Sequence, residues 1–333
     1  MAQATVHVLH SLLFAAAASA CLIAPGIGHA QSNPSFPSKA VTLVVPYTPN
    51  SGSDIIARIV GPRLSERWGQ PVIVDNKPGA SGTIGTAAVA KAAPDGYTLL
   101  MMINSITMAA ALVRNAPYDM ATDLVAVARL ADAGFALGVN AALPVKDMAQ
   151  LLAYIKAHPG KLSYASPGNG TPHHLGMSLL LSRDKLNALH VPYKGISAAL
   201  TDVMGGHAQM ILGSVHSLLP GVQSGKIRLL AVGGDKRSAL APDVPTFHEQ
   251  GIAELDGIDA YYGVMAPVGM PAALVDRLHR DFLAVVERDD VKAELAKVGL
   301  VVKPGSAAQL GASVRSDLLR WAKVIKDTGI TAD

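Results

Sequence analysis

Val41-Thr42-Leu43-Val44-Val45-Pro46-Tyr47-Thr48-Pro49-Asn50-Ser51-Gly52-Ser53-Asp54 is the stretch on which the fold turns. It opens with an unbroken aliphatic and β-branched run, the mark of a short strand buried on both faces of a parallel sheet, and Pro46 ends it. The polar segment that follows is built from small and hydroxylated residues. After it, Ile55, Ile56, Ile59, Val60 and Leu64 recur at helical spacing along one face. Gly69 stops this helix, and Val72-Ile73-Val74 is the next strand.

The unit then repeats in kind. A loop over 75–82 leads into a small-residue helix over 84–92, Pro94-Asp95-Gly96 turns, and residues 97–102 form a strand. Strand, polar loop, helix and strand in succession predict an α/β fold with mostly parallel sheets, which places ligands at the carboxyl ends of strands. Near Ala126 the pattern resets. Strands are predicted at 127–130, 136–139, 162–165, 189–191, 210–212 and 229–232, with helices over 147–158, around His174, and over 196–204. From Gly263 onward the character changes again, to one strand and three helices at 271–286, 289–297 and 307–326. A middle block between two blocks of another kind predicts one lobe inserted into another. Lobe 1 is read as 31–133 and 258–333, lobe 2 as 134–257.

Composition narrows the function classes. The 333 residues carry 28 Lys+Arg against 25 Asp+Glu, a net charge of +3, with no basic run of the kind that binds nucleic acid. Residues 11–24 form an apolar stretch too short to span a bilayer with confidence, followed by Pro25, Gly26 and Gly28-His29-Ala30. That layout predicts an export signal over residues 1–30, cleaved after Ala30, and a periplasmic location, although the segment before it holds His7 and His10 rather than Lys or Arg. Cys21, the one cysteine, would leave with it; Ala18-Ser19-Ala20 lacks the upstream aliphatic residue of a lipoprotein acceptor.

Two loops stand between a predicted strand and a predicted helix: the one ending Asn50-Ser51-Gly52-Ser53-Asp54, and Ser166-Pro167-Gly168-Asn169-Gly170-Thr171. Small residues let backbone approach a ligand, and a helix N-terminus offers unpaired N–H groups and partial positive charge, so both suit a carboxylate. The competing reading makes Ser51, Ser53, Asp54 and Thr171 helix caps. Asp54 repels an anion, so it is read as a cap or as the partner of a ligand ammonium. His173 and His174 are adjacent and point about 100° apart on a helix, which argues against a shared metal. Either histidine can still face the cleft as a hydrogen-bond donor, and His174 stands at the helix start. Tyr193 and Lys194 close one strand, and Ser105 and Ser214 follow others, which makes all four candidate cleft residues. No catalytic motif or cofactor fingerprint is present, and a hydrolase built on Ser166 and His174 is the remote alternative.

At these residues the chain resembles the substrate-binding components of tripartite tricarboxylate transporters, the Bug or TctC-type receptors. The landmarks run in order: Pro37-Ser38-Lys39, Val44-Val45-Pro46-Tyr47 with its loop to Asp54, Val74-Asp75-Asn76-Lys77-Pro78-Gly79-Ala80, Ala92-Ala93-Pro94-Asp95-Gly96-Tyr97-Thr98-Leu99, Tyr164-Ala165-Ser166, Gly168-Asn169-Gly170-Thr171, Val191-Pro192-Tyr193-Lys194-Gly195, Lys236-Arg237 with Pro242-Asp243-Val244-Pro245-Thr246, and Trp321-Ala322-Lys323-Val324-Ile325. The resemblance implies a two-lobed periplasmic binding protein of the Venus-flytrap type (type II-like), joined by crossing strands around a central cleft. It implies a carboxylate held by the loop ending at Asp54 and by the Ser166 to Thr171 loop, largely through backbone N–H groups and water, with variable residues at the other end of the ligand. The chain is accordingly expected to be a monomeric, non-catalytic receptor without cofactor, with Tyr47, Asn50, Ser51, Gly52, Ser53, Asp54, Ser105, Ser166, Asn169, Gly170, Thr171, His174, Tyr193 and Lys194 as its ligand-binding residues. The implied partner is a membrane permease, or alternatively a sensor-kinase ectodomain. The chain departs from the family where Asn50-Ser51 replace a usual Gly-Gly and where Ile103-Asn104-Ser105 stand for Gly-Thr.

Overall fold

Each strand–loop–helix unit forms where its hydrophobic period changes. In the computed structural model, which describes residues 36–112, 116–234, 236–255 and 257–328, β1 (Val41–Val45) is buried along nearly its whole length. Helix α1 (Gly52–Trp68) starts at the N-cap Ser51 and ends at left-handed Gly69, whose N–H donates to Ser65 O. Its buried face is Ser53, Asp54, Ile56, Ala57, Val60, Gly61, Leu64 and Trp68, so Ile55 and Ile59 sit at the margin of the predicted stripe. Trp68 Nε1 and Arg67 Nε donate to the buried Asp281 carboxylate at 2.8 and 2.6 Å, which satisfies an indole N–H that water cannot reach.

The remaining elements are β2 (Val72–Asn76), α2 (Thr83–Ala90), β3 (Thr98–Ile103), α3 (Ser105–Leu112), β4 (Leu124–Ala133), β5 (Phe135–Asn140), α4 (Met148–Ala157), β6 (Ser163–Ser166), α5 (Pro172–Arg183), β7 (Leu189–Pro192), α6 (Ile196–Gly205), β8 (Met210–Ser214), α7 (Val215–Gln223), β9 (Ile227–Val232), β10 (Ala260–Pro267), α8 (Ala272–Val286), α9 (Asp289–Lys297), β11 (Val301–Gly305) and α10 (Ala307–Thr328). They build two sheets, ordered β11-β4-β10-β3-β1-β2 and β7-β6-β8-β5-β9. Strands of the first come from 41–133 and 260–305, strands of the second from 135–232.

The sheets are mixed, with the expected parallel pairing in one part of each. Pairing is parallel in β2-β1-β3 and β7-β6-β8, where helices cross over, and antiparallel wherever β4, β10, β11, β5 or β9 takes part. The physical reason is connectivity. β4 passes into β5 through Gly134 alone, and β10 returns from the second sheet to the first, so these strands traverse between sheets instead of winding around one. α3, α7 and β11 were not read from sequence: α3 is almost uniformly apolar, α7 carries Pro220 inside, and β11 carries Pro304.

The predicted signal segment, its cleavage point at Ala30 and Cys21 lie outside the described residues.

β10 runs between β3 and β4, with an irregularity in register between Tyr262 and Gly263. A Cβ on Gly263 would lie 2.7 Å from Ala128 O and 2.7 Å from a Leu310 methyl. Gly263→Ala is therefore expected to cost about 1–3 kcal/mol, read as a lowered urea midpoint at unchanged m-value.

Candidate functional site

The first loop is organised around a carboxylate that faces inward. Asn50 takes a left-handed conformation (φ 66°), and its N–H donates to Asp54 Oδ2 at 2.8 Å. Arg58 Nε reaches both Asp54 oxygens at 3.0 Å, and Asn76 Nδ2 donates to Oδ1 at 3.0 Å and to Tyr47 O at 3.1 Å. Asp54 is 1% exposed and is not the cap: Ser51 Oγ caps, accepting the Asp54 N–H at 3.4 Å. Burial alone would raise the Asp54 pKa, but the Arg58 guanidinium, the Asn50 N–H and the Asn76 amide together outweigh it, and it is lowered. The carboxylate's charge is thus balanced by Arg58.

With Asn50 and Ser51 N–H groups satisfied, the next two donors are open. Ser51 N–H donates to Thr48 O, while the N–H groups of Gly52 and Ser53 have no hydrogen bond among the described residues. Two further candidates on this side pair with each other: Tyr47 Oη lies 2.5 Å from Ser105 Oγ and donates to Ser81 O at 3.1 Å. That contact braces the loop Gly79-Ala80-Ser81-Gly82, in which all four residues have positive φ. Ala80 and Ser81 are non-glycine residues in the left-handed region, a strained geometry that the Tyr47 hydroxyl helps to hold.

On the second sheet, Ser166 is fully buried. Its Oγ lies 2.6 Å from His190 Nε2, and it is bonded to the Gly168 carbonyl and N–H at 3.1 Å each. Thr171 caps α5: its Oγ1 donates to Gly168 O and accepts the His174 N–H. His174 Nδ1 accepts the Gly170 N–H at 3.1 Å, so this nitrogen acts as acceptor, not as the donor the sequence reading had in view. The His174 and His190 rings stack 3.9 Å apart at 7°, with Tyr164 against His190 at 4.9 Å. Burial lowers both imidazoles to about 4, His190 also through the charge of His174, so both are neutral at pH 7. The N–H groups of Asn169, Thr171 and His173 remain open among the described residues.

Tyr193 is turned away, its hydroxyl donating to Asp202 on α6. Lys194 is exposed and makes no ion pair among the described residues. Ser214 bonds with Ser217 at the start of α7. The two sides meet where α3 ends: a Cβ on Gly170 would lie 2.3 Å from a Leu112 methyl. Gly170, at φ 69°, is required both by its conformation and by that contact. Sequence reading missed His190, whose neighbours read as plain strand, and Tyr262, whose hydroxyl approaches Gly52. The adjacent aromatic pair Tyr261-Tyr262 at the start of β10 was the available signal.

A family model described as the tripartite tricarboxylate transporter family receptor, TctC, matches residues 56–330. A UPF0065 protein from the gbd 5′ region of Cupriavidus necator is 37% identical over 297 residues, covering 87% of this chain and 88% of the relative. Protein BugT of Bordetella pertussis is 32% identical over 306 residues, covering 91% and 94%. Among solved structures, R. palustris Rpa4515 with adipate aligns at TM-score 0.81 and 33% identity over 89% of this chain and 99% of that one. MatC from Rhodopseudomonas palustris, with bound malate, aligns at 0.78 and 28% identity over 87% and 100%. The fold is that of the two-lobed periplasmic binding proteins, and these family and structural neighbours are solute-binding receptors.

The buried imidazoles give the protein an acid liability. His174 and His190 sit near 4 in the fold against 6.5 for the unfolded chain, so the unfolded state takes up protons first. Stability should fall as pH drops from about 6.5 to about 4, and His174→Gln with His190→Gln should flatten that slope in urea midpoints measured at each pH. Asp54 acts in a lower window. Its lowered pKa adds stability above about pH 4 that disappears as the carboxylate protonates below it, and Asp54→Asn should remove this component.

Proposed function

Because the chain belongs to the tripartite tricarboxylate transporter receptor family, we propose that it is an extracytoplasmic receptor that captures a small organic carboxylate between two lobes and delivers it to a membrane permease. The observation that carries this reading is the set of open N–H groups at two helix N-termini, Gly52 and Ser53 on α1 and Asn169, Thr171 and His173 at α5. Such groups combine hydrogen-bond donors with the positive end of the helix dipole, which favours an anion without a fixed positive charge. The nearby titratable groups do not oppose it: Asp54 is balanced by Arg58, and the two stacked imidazoles are neutral.

In this reading lobe 1 comprises 31–133 and 258–333 and lobe 2 comprises 134–257, and closure brings the two N-termini to one ligand. Tyr47 and Ser105 act by holding the first wall. Ser166, being buried, acts by shaping the second wall from behind, and Lys194 lies at its rim. Asn50 and Ser51 set the width of the first wall, and the ligand leaves chemically unchanged. The protein is exported as a monomer, its first 30 residues removed after Ala30; N-terminal sequencing of periplasmic protein should begin at Gln31.

Adipate and malate, found in structures of relatives, direct the first screen. Succinate, malate or adipate should raise the melting temperature by several degrees, since ligand at a hundredfold excess over Kd adds about 2.7 kcal/mol. The corresponding diamides should not. Shifts produced only by neutral sugars would remove the anion reading. Pull-down of a histidine-kinase ectodomain in place of a permease would reassign the partner.

A further inference from the structure

Tyr262 lies on β10, 3% exposed, with its ring directed at the N-terminus of α1. Its approach to Gly52 is close enough that a Cβ there would lie 2.2 Å from the hydroxyl oxygen and 2.7 Å from Cζ. Position 52 therefore accommodates this tyrosine because it is glycine. A buried phenol ordinarily finds a partner. Tyr47, Tyr164, Tyr193 and Tyr261 each do, with Ser105, Ser178, Asp202 and Asp317 respectively. The Tyr262 hydroxyl makes no hydrogen bond among the described residues. Ser53, the residue after Gly52, is 1% exposed, and its Oγ is likewise unpartnered there.

Two backbone N–H groups and two hydroxyls thus gather at the first turn of α1, none of them committed elsewhere. Ser53 Oγ is closed off from solvent, and a buried hydroxyl left without a partner costs about 1–3 kcal/mol, so the first turn of α1 suits a partner that accepts several hydrogen bonds at once. Burial raises the Tyr262 pKa far above neutrality, so the phenol stays protonated and able to donate. Every member of the set is uncharged. The complement is a small oxyanion, and a carboxylate has the two oxygens and the size to meet them.

We propose that Tyr262 is a ligand-contacting, specificity-determining residue, whose hydroxyl joins Ser53 Oγ and the Gly52 and Ser53 N–H groups in binding one carboxylate of the ligand. This assignment rests on the carboxylate reading of the cleft and adds which side chains recognise the head group. It also gives Gly52 a function beyond helix initiation: it lets the phenol come within reach of the helix N-terminus. The consequence for selectivity is that an ester or amide, unable to accept from all four donors, leaves at least one buried hydroxyl unpaired and is rejected.

The test uses the full mature protein and calorimetric titration with succinate, malate and adipate. Tyr262→Phe keeps the ring against Gly52 and removes only the donor, so the melting temperature without ligand should be unchanged. Affinity for each acid that binds the wild type should fall about tenfold to a hundredfold, the worth of one hydrogen bond to a charged group. Ser53→Ala should lose affinity in the same direction. Unchanged affinity in Tyr262→Phe would overturn the assignment, as would a drop in melting temperature with affinity intact, which would make the tyrosine purely structural. A wild type that binds none of the three acids would overturn the carboxylate reading itself, and this assignment with it.

Discussion

The carboxylate of Asp259 stands where the chain crosses between the two sheets, and the architecture depends on it. Its Oδ1 accepts the N–H of Phe135, the first residue of β5, at 2.8 Å, while its own carbonyl accepts from Asn104 Nδ2 at 2.9 Å. Gly233 N–H donates to Phe135 O at 2.7 Å, and a Cβ on Gly233 would lie 2.0 Å from Asp259 Oδ1. Backbone groups at a crossing lose the ladder partners that strands provide, and buried ones need replacements. Here two side chains, Asp259 and Asn104, and one glycine supply them, joining the end of β3, the start of β5, the end of β9 and the start of β10.

From that junction the two walls are hung with different chemistry. On the first wall the inward carboxylate of Asp54 is balanced by Arg58 and oriented by Asn76. The Coulomb attraction of this pair is strengthened by burial on one side and screened on the other, since Arg58 is half exposed. Its value lies in geometry: the same carboxylate takes the Asn50 N–H and so fixes the loop that presents Gly52 and Ser53. The second wall is backed by imidazoles. His190 braces Ser166, His174 takes the Gly170 N–H, and the rings stack, so the loop from Ser166 to Thr171 rests on a neutral aromatic layer.

Glycines permit two close approaches at the site. Gly52 admits the Tyr262 phenol, and Gly170 admits Leu112 from the opposite side. Neither contact is visible as a motif, because both partners are apolar or aromatic residues far away in the chain.

The sequence by itself determined the local units. Aliphatic runs bounded by Pro46 and Gly69, the helical spacing from Ile56 to Leu64, and the hydroxyl-rich loops ending at Ser51 and Thr171 encode strand, helix and cap through short-range sterics and hydrogen bonding, and those elements formed where expected. Family landmarks extended this to a two-lobed architecture. Which loop groups stay open was decided by tertiary structure, because it depends on partners distant in sequence. Asp54 turned inward to Asn76, Ser166 to His190, and Tyr47 to Ser105, while the Tyr262 hydroxyl was left beside Gly52. Strand direction at the crossing was decided the same way. A strand's hydrophobic pattern specifies its burial but not its neighbour, and the neighbours of β4 and β10 are set by where the chain returns.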